Sequence, residues 1–311
     1  MLTPLQNLPA EKRRLLEAIA GQLQKIPNVV AVVLGGSYAT VLSRPDSDID
    51  IGLYYREASP FSVEAVRSIA ERTCVPGSAP VVTELYGWGA WVNGGSWIQT
   101  SIGKVDLLYR NLDQVQRVIE EGRKGIWRHD YDQQPPFGFR SVVYFGETFI
   151  CTPLYDPAGE IARLKAAVAT YPEPLRHRIV QDSLWNAEFS LLLCRSFENA
   201  GDVYNAVGCM IRVSQFLVHA LFAFNKEYFV SDKYAIRLID QFKVRPRDFT
   251  ARLSEILSNP GITSAELQRS SELLASLWRE TADLAVGLYE PRFDLATVLS
   301  VDRKASVDPR S

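Results

Sequence analysis

At 311 residues, with 47% hydrophobic and 23% charged residues, the chain can bury one large core or two ordinary ones, and its composition excludes disordered and fibrous classes. A formal net charge of -2 gives no overall electrostatic reason to bind nucleic acid, so nucleic acid is not an expected partner. The four cysteines, Cys74, Cys151, Cys194 and Cys209, form none of the close sequence pairs that zinc or redox sites use, and read as buried or idle thiols of a reducing cytoplasm.

The opening MLTPLQNLPAEKRR lacks the apolar core of a signal peptide. From Pro9 to Lys25, the positions Leu15, Leu16, Ile19, Ala20 and Leu23 fall at helical spacing and predict an amphipathic helix that ends at Pro27. NVVAVVLGG, β-branched and closing on two glycines, predicts a buried strand, and DIDIGLYY a second. A helix from about Phe61 to Arg72 is followed by extended stretches at Pro80 to Tyr86, Trp97 to Ser101 and Lys104 to Tyr109. Past Asp113 the pattern is almost wholly helical, over 111–123, 157–170, 174–199, 202–225, 246–257 and 264–288. The most apolar run, Ala206 to Phe224, is broken by Arg212, Gln215 and His219 and reads as a core helix, so no membrane segment is expected. The expected class is α+β: a mixed-sheet domain over 1–150, an all-α helical bundle over 151–301 entered through CTPLYDP, and a disordered tail over 302–311.

Chemistry concentrates between Leu34 and Tyr55. In a strand, residues two apart point the same way, so Asp48 and Asp50 project from one face while Ile49 and Ile51 enter the core. Paired carboxylates repel unless a cation sits between them, and hard oxygen ligands with open positions are what Mg²⁺ requires. Gly35 and Gly36 end the preceding strand. Glycine there lets the backbone approach a phosphate, and the Ser37 hydroxyl can donate to its oxygens. A third carboxylate, Asp106, lies in the apolar strand GKVDLLYR. If that strand neighbours the DID strand, the three acids can hold two metal ions. Each motif alone has a plainer reading: a turn for Gly35-Gly36-Ser37, solvated strand acids for Asp48, Asp50 and Asp106.

GGSYA, then SDIDIGLYY, then an Asp inside KVDLLY together resemble the signature of the polymerase-beta-type nucleotidyltransferase superfamily. The resemblance implies that Asp48 and Asp50 bind two Mg²⁺ ions, that Asp106 is the third catalytic carboxylate, and that Gly36 and Ser37 contact the triphosphate. One departure is Val41 or Leu42 where the family usually has glycine. The stretch from Gly201 to Lys233 is similar to the helical domain of the small-molecule branch, which includes aminoglycoside-modifying enzymes. There a lysine reaches the triphosphate; Lys233 is the candidate here, with Tyr228 as its neighbour.

The expected reaction is transfer of a nucleoside monophosphate, AMP from ATP, to the hydroxyl of a small-molecule acceptor in the cytoplasm. Asp106 or Glu84 would take the acceptor's proton. Trp88, Trp91 and Trp97 either wall a substrate pocket or cover the sheet edge, and Glu188 or Asp202 either receives a cationic acceptor or is an ordinary helix acid. His129, His177 and His219 show no metal spacing. Competing readings are AMP transfer to a protein and a non-catalytic nucleotide-binding module.

Overall fold

Leu16, Ile19, Ala20 and Leu23 recur at helical spacing, and in the computed structural model of the protein they form the buried stripe of α1 (Ala10–Leu23). The structure describes residues 5, 8–40, 43, 44 and 46–293; the Val41–Leu42 departure and the tail expected over 302–311 lie outside them. The chain divides into two units, Met1–Thr170 and Tyr171–Ser311.

The first unit is built on six strands: β1 (Ala31–Leu34), β2 (Ile49–Tyr55), β3 (Val81–Val82), β4 (Gly95–Thr100), β5 (Gly103–Asn111) and, later in the chain, β8 (Thr152–Tyr155). Their order is β3-β4-β5-β2-β1-β8. β2 and β5 run parallel, and the other neighbours run antiparallel, which makes the sheet mixed as expected. Alternation then sorts the side chains. Ile49, Ile51, Leu53 and Tyr55 of β2 join Val105, Leu107 and Tyr109 of β5 in one core with Leu16, Ile19 and Leu23 of α1 and Val66, Ile69 and Ala70 of α2 (Val63–Thr73). The residues between them, including Asp50, Tyr54, Asp106 and Arg110, belong to the opposite face.

The far end of that second face is closed by α4 (Val142–Ile150), a helix that the β-branched and aromatic run VVYFGETFI does not announce. Before it come α3 (Leu112–Arg123), capped by the Asn111 side chain, and the short β6 (His129–Asp130) and β7 (Phe139–Arg140) pair. Arg110, almost fully buried, donates through Nε and Nη2 to the two Glu147 oxygens of α4 at 2.8 and 2.7 Å. Burial works against the guanidinium's charge, but Glu147 outweighs it and raises the Arg110 pKa further. Tyr54 and Arg110 lie four residues beyond the strand acids, about 13 Å along the strands. The α4 end is therefore closed, while Asp48, Asp50 and Asp106 at the other end are each partly exposed.

The first unit extends to Thr170, beyond the boundary expected at residue 150. The reason is β8, which CTPLYDP hides behind two prolines: it pairs with β1 as an edge strand and is followed by α5 (Glu160–Val168), which packs on α4. Proline is tolerated there because an edge strand has one side free of ladder bonds.

The second unit is helical. α6 (Glu173–Ala200) and α7 (Val203–Phe224) form a hairpin turned by Gly201 at φ 67°, with Asp202 capping α7 through the Asn205 amide. Asp202 is thus an ordinary cap. α8 (Asp232–Ile239), absent from the sequence reading, starts at Ser231, whose hydroxyl accepts from the Lys233 amide. α9 (Phe249–Ser258) and α10 (Ser264–Asp283) follow, the latter opened by a Thr263–Glu266 capping box. α7 is long and apolar enough to cross a membrane, but 72% of its apolar window is buried inside the protein, where it packs on α6 and α10. Glu188 of α6, fully buried, accepts from the Tyr289 hydroxyl and from the Arg292 and Phe293 amides, and so ties the chain after α10 back onto α6. That fixes its role as structural rather than as a receiver of cationic acceptors.

The hairpin also brings together two cysteines that are fifteen positions apart. Cys194 and Cys209 hydrogen-bond to each other, which raises the buried Cys194 thiol and lowers the partly exposed Cys209 thiol. At pH 7.5 iodoacetamide is expected to label Cys209 well before Cys194, a sequence readable by peptide mass spectrometry. Arg110→Ala is expected to destabilise the first unit by about 2–4 kcal/mol, because it empties a buried site and leaves the partly buried Glu147 without its partner; chemical denaturation measures this.

Candidate active site

The site follows from strand register. Asp50 and Asp106 are direct partners across the parallel β2–β5 ladder, so their carboxylates leave the sheet on the same face, on neighbouring strands about 4.8 Å apart. Asp48 lies two residues before Asp50, just ahead of β2, and Lys104 lies two residues before Asp106 on β5. The four make a two-by-two patch. Lys104 Nζ is 2.8 Å from Asp106 and 3.8 Å from Asp48. Asp106 is more enclosed than Asp48, with 16% of its side chain exposed against 41%.

Beside this patch β1 ends in Gly35 and Gly36. The Gly35 amide donates to the Asp50 carbonyl at 2.9 Å, which carries the β1–β2 ladder one residue further. Gly36 then turns to φ 59°, ψ -153°, a conformation open essentially to glycine alone. A Cβ on Gly36 would stand 1.8 Å from the Asp50 Oδ2, so the bare backbone is what lets the turn and the carboxylate share this space. Ser37–Ala39 forms a short helical turn. The segment leading to β2 is fixed from two sides: the Tyr38 hydroxyl donates to the Arg44 carbonyl at 3.0 Å, and buried Lys12 of α1 donates to the Ser47 carbonyl at 2.5 Å. Asp48 therefore starts from an anchored backbone.

On the other flank, Trp97 of β4 is the register partner of Asp106 and is 46% exposed. Trp88 stacks on it with ring centroids 5.0 Å apart, and Lys104 Nζ lies 5.4 Å from the Trp97 ring. Trp91 instead packs against Phe139 and Tyr144 and donates to Asp130, so it has a packing role. Across four strands the face thus reads Gly36–Ser37, Asp50, Asp106, Trp97.

Glu84 does not join the acids. Its carboxylate pairs with Arg67 of α2 at 3.4 Å and adds to the burial that raises the Tyr109 hydroxyl, whose ring is in the core shared with α2, so it belongs to the helix-covered side. The alternation of Thr83, Glu84 and Leu85 gave no sign of this, since β3 stops at Val82. Lys233 is exposed at the start of α8, its Nζ 5.6 Å from the Tyr234 ring, and Tyr228 stacks on Tyr171 at 4.6 Å; both belong to the second unit. The histidines do not gather: His129 contacts the Phe137 carbonyl and His219 packs on Phe229.

Among the described residues no three His, Cys, Asp or Glu side chains stand close enough together to hold a metal as they are placed. With Lys104 drawn against Asp106, the donor set is nevertheless the right kind: hard, partly exposed carboxylate oxygens on one face, beside a backbone bend that no Cβ obstructs.

Residues 14–93 match the family model described as a nucleotidyltransferase domain. The chain carries a nucleotidyltransferase domain. The protein is accordingly a transferase. The matched part of the nucleotidyltransferase domain holds Gly36, Ser37, Asp48 and Asp50 and ends before Asp106, which enters through its pairing with Asp50. No curated protein matches the chain in sequence. Among solved structures, a nucleotidyltransferase-like protein from Exiguobacterium sibiricum is similar at 9% identity and TM-score 0.45, covering 88% of this chain and 77% of that one. An aminoglycoside 6-adenyltransferase from Bacillus subtilis is similar at 10% identity and TM-score 0.33, covering 94% of each.

The two adjacent glycines are expected to respond differently to substitution. Gly36→Ala should lower stability by about 1–3 kcal/mol and cut transfer at least a hundredfold, by strain and by displacing the Asp50 carboxylate. Gly35→Ala, whose Cβ would meet nothing nearer than 3.9 Å, should be close to neutral in both thermal unfolding and turnover.

Proposed function

We propose that this nucleotidyltransferase moves a nucleoside monophosphate, with ATP as the expected donor, to a hydroxyl of a small-molecule acceptor in a reaction that depends on divalent metal. The observation that carries the reading is the in-register pair Asp50 and Asp106, with Asp48 beside them and the Gly36 bend against Asp50. Asp48, Asp50 and Asp106 would hold the metal. Two magnesium ions, when bound, supply charge neutralisation on the triphosphate and lower the pKa of the attacking hydroxyl.

The chain's own groups divide the remaining work. Gly36 lets the triphosphate approach the backbone, and the Ser37 hydroxyl donates to its oxygens. Asp106 is proposed to take the acceptor proton, a choice over Glu84 supported by the Arg67–Glu84 pair on the α2 side. The attacking oxygen approaches the α-phosphorus in line with departing pyrophosphate. With the Gly36–Ser37 bend on the β1 side and the Trp97–Trp88 stack on the β4 side, the triphosphate is assigned to the first flank and the acceptor to the second. An aminoglycoside-like compound, polar and carrying several hydroxyls, is the acceptor class to try first.

The assay is pyrophosphate release from each triphosphate with Mg²⁺ and a panel of aminoglycosides, proteins or RNA. Release that requires an aminoglycoside supports the reading; release that requires a protein or RNA replaces the acceptor class, and binding without release under every condition leaves a nucleotide-binding module. Asp48→Asn and Asp50→Asn are expected to keep the wild-type unfolding temperature within a few degrees while lowering acceptor-dependent turnover at least a thousandfold. Wild-type turnover in the double variant would end the proposal.

A further inference from the structure

Lys104 is a cation already in the acidic patch. Its ammonium contacts Asp106 at 2.8 Å and stands 3.8 Å from Asp48, on the line between the third acid and the first. Its Cα is two residues from that of Asp106 on the same strand, so the side chain rises from the same face and stays within reach of the site. It has a second seat: the Trp97 ring, whose centroid is 5.4 Å from Nζ and whose face attracts a cation. Lys12, the other lysine nearby, is committed to the Ser47 carbonyl and the Tyr38 ring.

We propose that Lys104 is a positioning residue, a tethered counter-ion that holds Asp106 and Asp48 in the metal-free enzyme and must be displaced toward Trp97 when divalent metal binds the same carboxylates. The inference rests on the metal reading of the three acids. Its physics is competition. Without metal, three carboxylates on one patch repel, and one ammonium relieves part of that repulsion, so the acids keep their places. An arriving divalent cation needs the Asp106 oxygens that Lys104 occupies, and a fixed positive charge within about 4 Å would oppose it strongly. The lysine stem is flexible, so most of that opposition is removed by swinging the ammonium away, at a remaining cost in metal affinity of about tenfold. The patch is thus ordered before metal arrives, and the metal binds more weakly than three bare carboxylates would allow.

The test is calorimetric titration of Mn²⁺ into the full-length wild type, Lys104→Met, Lys104→Arg and Asp50→Asn, with thermal unfolding of each in EDTA and in Mg²⁺. Lys104→Met is expected to bind Mn²⁺ about tenfold more tightly than the wild type, Lys104→Arg to stay within about threefold of it, and Asp50→Asn to give no binding heat. In EDTA the Met variant should melt below the wild type, and Mg²⁺ should raise its midpoint by more than it raises that of the wild type, because tighter ligand binding adds more stability. Should the Met variant fail to fold, Lys104→Gln takes its place. Equal or weaker Mn²⁺ binding in the charge-free variant, with binding intact in the wild type and absent in Asp50→Asn, overturns the counter-ion role and leaves the metal reading standing. No binding to either wild type or Met variant overturns both.

Discussion

Repulsion between like charges at the start of β2 and β5 is the constraint around which this domain is arranged. Asp50 and Asp106 are placed side by side by a parallel ladder that the core itself enforces. Ile49, Ile51 and Leu53 and their partners Val105, Leu107 and Tyr109 must face α1 and α2, and a slip of one residue would turn every one of them toward water and both acids into the core. Hydrophobic burial thus sets a geometry that electrostatics alone would refuse. Nearby groups answer the remaining charge: Lys104 between two carboxylates and the bare Gly36 backbone against a third.

The two faces of the sheet divide stability from chemistry. One is closed by α1 and α2 over an apolar core. The other is closed at its far end by α4, through the Arg110–Glu147 pair and the Trp91, Phe139 and Tyr144 rings. The remainder is a strip in which each strand contributes one kind of group: bend, acid, acid, indole. Such a strip suits the proposed transfer, in which donor and acceptor approach the carboxylates from opposite flanks.

Much of this was legible in the sequence because strand alternation is a strong signal. NVVAVVLGG and DIDIGLYY specified two strands, the shared face of Asp48 and Asp50, and the turn at Ser37, and the long amphipathic runs specified α6, α7 and α10. What one sequence does not contain is pairing. The Asp50–Asp106 partnership was conditional until register supplied it, and Glu84 looked equally able to reach the site until Arg67 was seen to hold it on the other side. Lys104 was overlooked although the signal was present: in GKVD the lysine is two before the aspartate and must share its face. β8 and α4 were hidden for a different reason, since prolines and β-branched residues argue locally for loop and strand, and tertiary packing overrides them. Cys194 and Cys209, distant in sequence, meet only because Gly201 folds α6 back on α7.

The tether at Glu188 bears on how the polypeptide can be cut or extended. Its carboxylate receives one phenolic and two amide donors from residues 289 to 293, and the Arg292 guanidinium lies 4.4 Å from the Trp185 ring. A shortened version ending before Tyr289 would strand an ionisable group in the interior of the helical unit with nothing to answer it. Residues through Phe293 are therefore part of the minimal folding segment, and an affinity handle belongs after them.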